Sequence, residues 1–210
     1  MLVLLAKHKF FKLAKYPDSF QLILQNVSRH ISLNAEEIER FFSVLHVKKY
    51  KNKQLILSEG EICYNTWFVT KGCLRGYTTD QNGFEHVLSF APVDWWIGDI
   101  YSLISQKPGT LNIETLEASE AILLHREHQE LLYADVPKFE RFFRIIIEKS
   151  LVHNQQRLIE NLSLSAEDRY EKFCLRYPQL VNYLPQKQIA SYIGVTPEFF
   201  SKMKSRFYKK

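Results

Sequence analysis

The stretch that most constrains this chain is 186–205, QKQIASYIGVTPEFFSKMKS. Two short helices cross near a right angle only if apolar side chains recur at fixed places, a small residue sits at the crossing, and the turn accepts left-handed backbone. Ile189, Ile193, Val195, Phe200 and Met203 supply the apolar positions, Ala190 the crossing residue and Gly194 the turn, where a Cβ would resist positive φ. Thr196 then stands as N-cap of the second helix, with Pro197 in its first turn, where the missing N–H costs nothing. The pattern predicts a helix-turn-helix.

On such a unit Phe200 and Met203 face inward, which leaves Pro197, Glu198, Phe199, Ser201, Lys202 and Ser205 free to enter a major groove. Glu198 can accept from a cytosine amino group, Lys202 can donate to guanine or to a phosphate, and Phe199 can meet a thymine methyl. Thr196 belongs to the same DNA-facing set. Lys187, Gln188, Lys204 and Arg206 are placed for backbone contacts, which position a protein without reading sequence.

Charge supports this end of the chain as the one that meets phosphates. The whole sequence carries a formal net charge of +5. Residues 186–210 hold six bases (Lys187, Lys202, Lys204, Arg206, Lys209, Lys210) against Glu198, leaving 22 basic against 22 acidic residues elsewhere. The excess is therefore wholly C-terminal, as expected of a nucleic-acid footprint. A solvated lysine-rich tail is the alternative reading.

Upstream the periodicity changes twice. Segments 20–30 and 35–45 have apolar residues at helical spacing, with Asn34 as N-cap before Ala35-Glu36-Glu37. Segments 47–56, 66–70, 73–79, 84–90, 112–116 and 121–124 are short runs rich in β-branched and aromatic residues, read as strands. Turn signals at Ser58-Glu59-Gly60, Lys71-Gly72, Asp80-Gln81-Asn82-Gly83 and Lys107-Pro108-Gly109 separate them. That rhythm predicts an antiparallel roll, with Asn82-Gly83 the strongest hairpin signal, both residues tolerating positive φ.

Over 136–161 the helical period returns, with Phe139, Phe142, Phe143, Ile146, Ile147, Leu151, Leu158 and Ile159 forming one stripe. Packing against a twin across a two-fold axis would bury it. Covering the roll within one subunit is the other reading. Residues 162–164 read as a hinge, Ser165-Ala166-Glu167-Asp168 as a capping box opening the next helix, and Tyr177-Pro178 as its end.

With 210 residues, 46% hydrophobic and 24% charged, the chain has material for two ordinary globular domains. Four segments are expected: an N-terminal extension at 1–18, disordered or lying as a membrane-surface helix over 10–16; a roll at 19–135; a dimerisation helix and hinge at 136–163; and a DNA-binding domain at 164–210. Cys63, Cys73 and Cys174 are odd in number and widely spaced, so neither a disulfide framework nor a paired zinc site follows. A reducing cytoplasm, buried thiols and no membrane segment are the expectation.

In these parts and this order the chain resembles the Crp/Fnr family of transcription regulators, over residues 19–206. The likeness is carried by QKQIASYIGVTPEFFSKMKSR, by Ser58-Glu59-Gly60-Glu61, by Phe68-Val69-Thr70-Lys71-Gly72 and by Trp96-Ile97-Gly98-Asp99. It implies an α+β fold: a jelly-roll-like, cyclic-nucleotide-binding-type β-roll, a long dimer helix and a winged helix-turn-helix, whose wing is short, absent or cut off by truncation where the sequence stops at Lys210. Duplex DNA, a second copy of the chain and RNA polymerase are the partners it implies.

The resemblance places an effector pocket at Gly98, Asp99, Gly109 and Thr110, with the effector unidentified. Members that bind cyclic AMP carry a Gly-Glu pair followed by an Arg-Ser or Arg-Thr that clamps the cyclic phosphate. Here the first pair is Gly98-Asp99, and the arginine position falls on Gly109, followed by Thr110. An unpaired buried phosphate is costly, so cyclic nucleotide binding is not expected, even with Lys107 near as a point charge. Three cysteines cannot ligate an iron–sulfur cluster that needs four.

Other function classes fit less well. A catalytic metal roll needs clustered inward histidines, and the sequence has no HxH pair on any strand. His125 and His128 read as surface or core residues at a strand end. No catalytic or metal-binding residues are assigned, and an enzyme is not expected. A protein-interaction sensor with a small-molecule-binding roll and no DNA function is the runner-up, suggested by Phe199 on the outward face.

Overall fold

The computed structural model describes residues 17–207. The extension read from the sequence thus lies outside the described residues up to position 16, as do Lys209 and Lys210.

Two helices open the described chain. The first, α1 (Asp18–Ser28), buries Phe20, Ile23, Leu24 and Val27. The second, α2 (Ala35–Ser43), starts at a reciprocal capping box in which the Asn34 side chain accepts from Glu37 N–H and the Glu37 carboxylate accepts from Asn34 N–H. Eight strands follow: β1 (Leu45–Tyr50), β2 (Leu55–Leu57), β3 (Asn65–Lys71), β4 (Leu74–Thr79), β5 (Glu85–Ala91), β6 (Trp96–Ile97), β7 (Asn112–Thr115) and β8 (Ser119–His125). Helix α3 (Ile100–Ser105) lies between β6 and β7. After β8 come α4 (Arg126–Asp135), α5 (Lys138–Ser163), α6 (Ala166–Arg176), α7 (Gln186–Ile193) and α8 (Pro197–Phe207).

The strands form two four-stranded sheets, ordered β1-β8-β3-β6 and β2-β7-β4-β5. Their neighbours are antiparallel where β1 meets β8, β3 meets β8 and β6, and β2 meets β7; Lys48 faces Ala121 and Phe68 faces Ile122. This is the expected roll, with differences. The run 47–56 is split by a turn at 51–54, where Lys53 takes positive φ, so two strands on different sheets replace one. At the predicted hairpin only Gly83 adopts positive φ; Asn82 does not, because Asp80 Oδ1 accepts from the N–H groups of Asn82 and Phe84 and holds a longer turn.

The described residues divide into two compact units. The first comprises the chain up to Gly76 together with Phe90–Ile146. One of its cores lies within the roll, built on Leu57, Cys63, Trp67, Val69, Leu74, Ile97, Leu103 and Ile113. The other packs α1, α2 and the aromatic start of α5 against β3 and β8, with Phe41, Phe68, Ile122, Phe139 and Phe142 fully buried. The first turns of α5 thus cover the roll within one subunit, as one reading of the stripe proposed.

The second unit comprises Tyr77–Ser89 and the chain from Ile147 onward. It is discontinuous in sequence: the outer part of the β4–β5 hairpin joins the distal part of α5 and the three helices after it. Ser165 caps α6, its hydroxyl accepting from Asp168 N–H at 3.1 Å and donating to the Asp168 carboxylate at 2.7 Å. The core is aromatic: Phe200 meets Tyr170 edge-on at 5.2 Å, and Tyr192 lies within 6 Å of both Phe173 and Tyr177.

Candidate nucleic-acid interface

Helices α7 and α8 are joined as the sequence requires. Gly194 caps α7 at φ 73°, and Val195 N–H then reaches Ala190 O at 3.0 Å. Ile189, Ala190, Ile193, Phe200 and Met203 are buried. Helix α8 begins where the Thr196 hydroxyl accepts from Phe199 N–H at 3.2 Å. The inward positions are thus filled, and the opposite face is left open.

That face carries the residues expected on it. Thr196, Pro197, Glu198, Phe199, Ser201, Lys202, Ser205 and Arg206 are all exposed, as is Lys187 on α7; Gln188 and Lys204 are half-buried. Phe199, at 49% exposure, is an apolar ring held outward by the same helix that buries Phe200. The set is brought together on one helix face and its flank, with lysine and arginine outnumbering Glu198.

What the sequence did not reveal is how this motif is braced within its unit. The Ser191 hydroxyl, on α7, donates to Glu85 O at 2.6 Å and accepts from Val87 N–H at 2.9 Å. It therefore pairs with β5 along that strand's open side, β5 being the edge of its sheet. Arg157, on α5, donates to the carbonyls of Val87 (2.7 Å), Leu88 and Tyr192 (2.8 Å), and lies 4.0 Å from the centre of the Tyr192 ring. Arg169 donates to Ile193 O at 2.8 Å and to Leu164 O at 3.0 Å, holding the last turn of α7 to the start of α6. A cation inside an apolar helix stripe was a signal for Arg157; Ser191 had none.

Burial lowers the basicity of Arg157. Burial pushes the nearby His153 down to about 4, with Arg176 and Arg157 adding to the effect, so its ring is neutral near pH 7.

The expected effector residues also come together, in the first unit. Asp99 is 2% exposed and caps α3, one carboxylate oxygen accepting from Ser102 N–H at 3.0 Å and the other from Thr110 N–H at 3.2 Å. Gly109 is tied to the 58–61 turn by Gly60 N–H to Gly109 O and Gly109 N–H to Glu61 O, both 2.9 Å. Gly98 passes close to Thr66. A surface hollow of about 520 Å³, lined by Tyr64, Gln106, His125 and Glu130 among others, does not include these four residues. His125, bordering it, caps α4 by accepting from Glu127 N–H at 3.3 Å.

A β-roll, a long helix and a helix-turn-helix thus follow one another in one chain. Residues 47–135 match the family described as cyclic nucleotide-binding domain. Over 190 residues the chain is 19% identical to the anaerobic regulatory protein of Haemophilus influenzae, covering 85% of this chain and 73% of that protein. Among solved structures, FixK2 from Bradyrhizobium japonicum is similar with a TM-score of 0.70 and 19% identity, over 79% of this chain and 85% of that one. The c-di-GMP responsive global regulator CLP of Xanthomonas campestris is similar with a TM-score of 0.65 and 16% identity, over 84% and 92%. In fold and in the order of roll, long helix and helix-turn-helix the chain is similar to these proteins. No helix among the described residues is long and apolar enough to cross a membrane.

Proposed function

We propose that this chain is a sequence-specific, DNA-binding transcription regulator that acts in the cytoplasm as a homodimer. The observation that carries the reading is the outward face of α8, capped by Thr196, with Glu198, Phe199, Ser201, Lys202 and Ser205 all exposed. Such a face meets base edges, while Lys187, Gln188 and Arg206 meet phosphates.

The distal half of α5 supports the dimer. Leu151 and Leu158 lie one heptad apart, each with an apolar residue four positions away, Ile147 and Leu162, and all four are between 42% and 80% exposed in the single chain. A second copy packing along this ladder removes it from water and presents two α8 helices to one duplex. Contact with RNA polymerase belongs to the same reading. The exposed Phe199 favours one alternative, a protein partner at that face.

Selection from random duplex DNA tests the reading. Recovered sequences are expected to contain two related half-sites about one helical turn, or a multiple, apart. Binding that is undetectable, or that does not weaken as salt rises, overturns it.

A further inference from the structure

The cyclic-nucleotide-binding fold implies a cyclic phosphate bound at the segment 98–110, and the residues there do not fit one. No arginine is present, Gly109 standing in its place. Among the described residues of the first unit Arg75 is the one buried cation, and it is engaged, its guanidinium meeting the Glu114 carboxylate at 2.6 Å. A Cβ built on Gly109 would lie 2.3 Å from Asp99 Oδ2 and 3.1 Å from Ser102 Cβ. The space for a larger side chain at 109 is already occupied, and what occupies it is a carboxylate.

We propose that this segment is closed from within: the Asp99 carboxylate takes the amides of Ser102 and Thr110 that an anionic ligand would need, and no seat for a cyclic phosphate remains. Three features fit together in this reading. Glycine at 109 leaves room for the Asp99 oxygen. Ser102, itself fully buried, fixes the helix start by accepting from Cys63 N–H at 2.8 Å and donating to Lys107 O at 2.7 Å. An incoming phosphate would have to displace a buried carboxylate whose two acceptor contacts are satisfied, with no free buried cation to receive it. Asp99 is then a positioning residue of the 98–110 segment. The inference is independent of DNA binding, and its test reads stability without any DNA present.

Two measurements on the full chain decide the matter. Thermal unfolding with cyclic AMP or cyclic GMP is expected to show no shift in Tm, whereas a ligand held at about 100 times its Kd raises Tm by several degrees. A double-mutant cycle then probes the packing: Gly109→Ala is expected to lower Tm in the natural chain and to lower it much less in an Asp99→Ala background, because the clash is with that carboxylate. Asp99→Asn is expected to lower Tm as well, keeping shape but weakening two acceptor contacts. A nucleotide-dependent rise in Tm of the natural chain overturns the proposal. So does equal loss from Gly109→Ala in both backgrounds, which would place the carboxylate elsewhere in solution.

Discussion

The guanidinium of Arg157 lies 4.0 Å from the centre of the Tyr192 ring while donating to the Tyr192 carbonyl at 2.8 Å. One side chain thus grips both the face and the backbone of a residue in the first helix of the helix-turn-helix. The two terminal nitrogens also donate to the carbonyls of Leu88 and Val87 on β5, while Nε is buried without a hydrogen-bond partner.

Removing that grip leaves carbonyls without donors. Arg157→Ala is expected to destabilise the second unit by about 3 kcal/mol, and Arg157→Lys to recover little, since a compact ammonium cannot reach carbonyls on two elements while stacking on a ring. Guanidinium chloride unfolding followed by tryptophan-independent circular dichroism checks the size. Equal stability of the lysine variant would show that charge alone suffices.

Ser191 makes a narrower prediction. Its hydroxyl is the partner of Val87 N–H, so Ser191→Ala is expected to lower hydrogen-exchange protection at Val87 while leaving amides of α8 nearly unchanged, at a cost of about 1–2 kcal/mol. Unaltered exchange at Val87 would remove the brace from the account.

On the DNA face, Lys202→Ala and Arg206→Ala are expected to behave differently. A residue on a base edge changes which sequences are preferred, costing about 1–3 kcal/mol at one position, while a phosphate contact weakens all duplexes alike and lowers the salt slope by about 0.9. Binding measured over a salt series on selected and scrambled duplexes separates the two. If neither variant alters affinity, α8 is not the reading element.

His153 gives a pH dependence. Its folded value, about 4, lies below the ordinary 6.5 of a histidine, so the unfolded chain binds the proton more readily. The contribution of neutral His153 to stability is therefore present above about pH 6.5 and is lost as pH falls from there toward 4. His153→Gln is expected to flatten the difference between the two proteins' stability curves outside that window and to concentrate it within. Parallel curves from pH 7 to 4 would contradict the burial assigned to the ring.

The helix-turn-helix was legible because its determinants are local: Gly194, Thr196 and Pro197 each act on backbone within three residues. Most strand positions and the turn at 80–83 were nearly as plain, although the order of strands in the two sheets was not, and the turn is longer than the Asn82-Gly83 hairpin expected. Helix α4 was not, because its cap is His125 and its sequence REHQELLYAD buries little beyond Leu132, so neither capping nor period announced it. Strand β6 is two residues long and stands beside a turn held by distant groups: Asn26 Nδ2 donates to the Asp94 carboxylate at 2.9 Å, and Trp96 Nε1 donates to Asn26 at 3.2 Å. The residues expected at an effector pocket were placed by resemblance alone, and their arrangement around the Asp99 carboxylate depends on a contact across ten residues that no local pattern encodes.

The discontinuity of the second unit bears on how the protein can be cut. A fragment starting at Ile147 would carry every helix of the second unit but would lack Tyr77–Ser89, exposing the Ser191 hydroxyl and two arms of Arg157 to water instead of to peptide groups. Truncation at residue 164, the boundary that sequence alone suggests, would remove Arg157 as well and yield a looser domain still, and during synthesis the hairpin must wait for the C-terminal helices before its outer strand edge is sheltered.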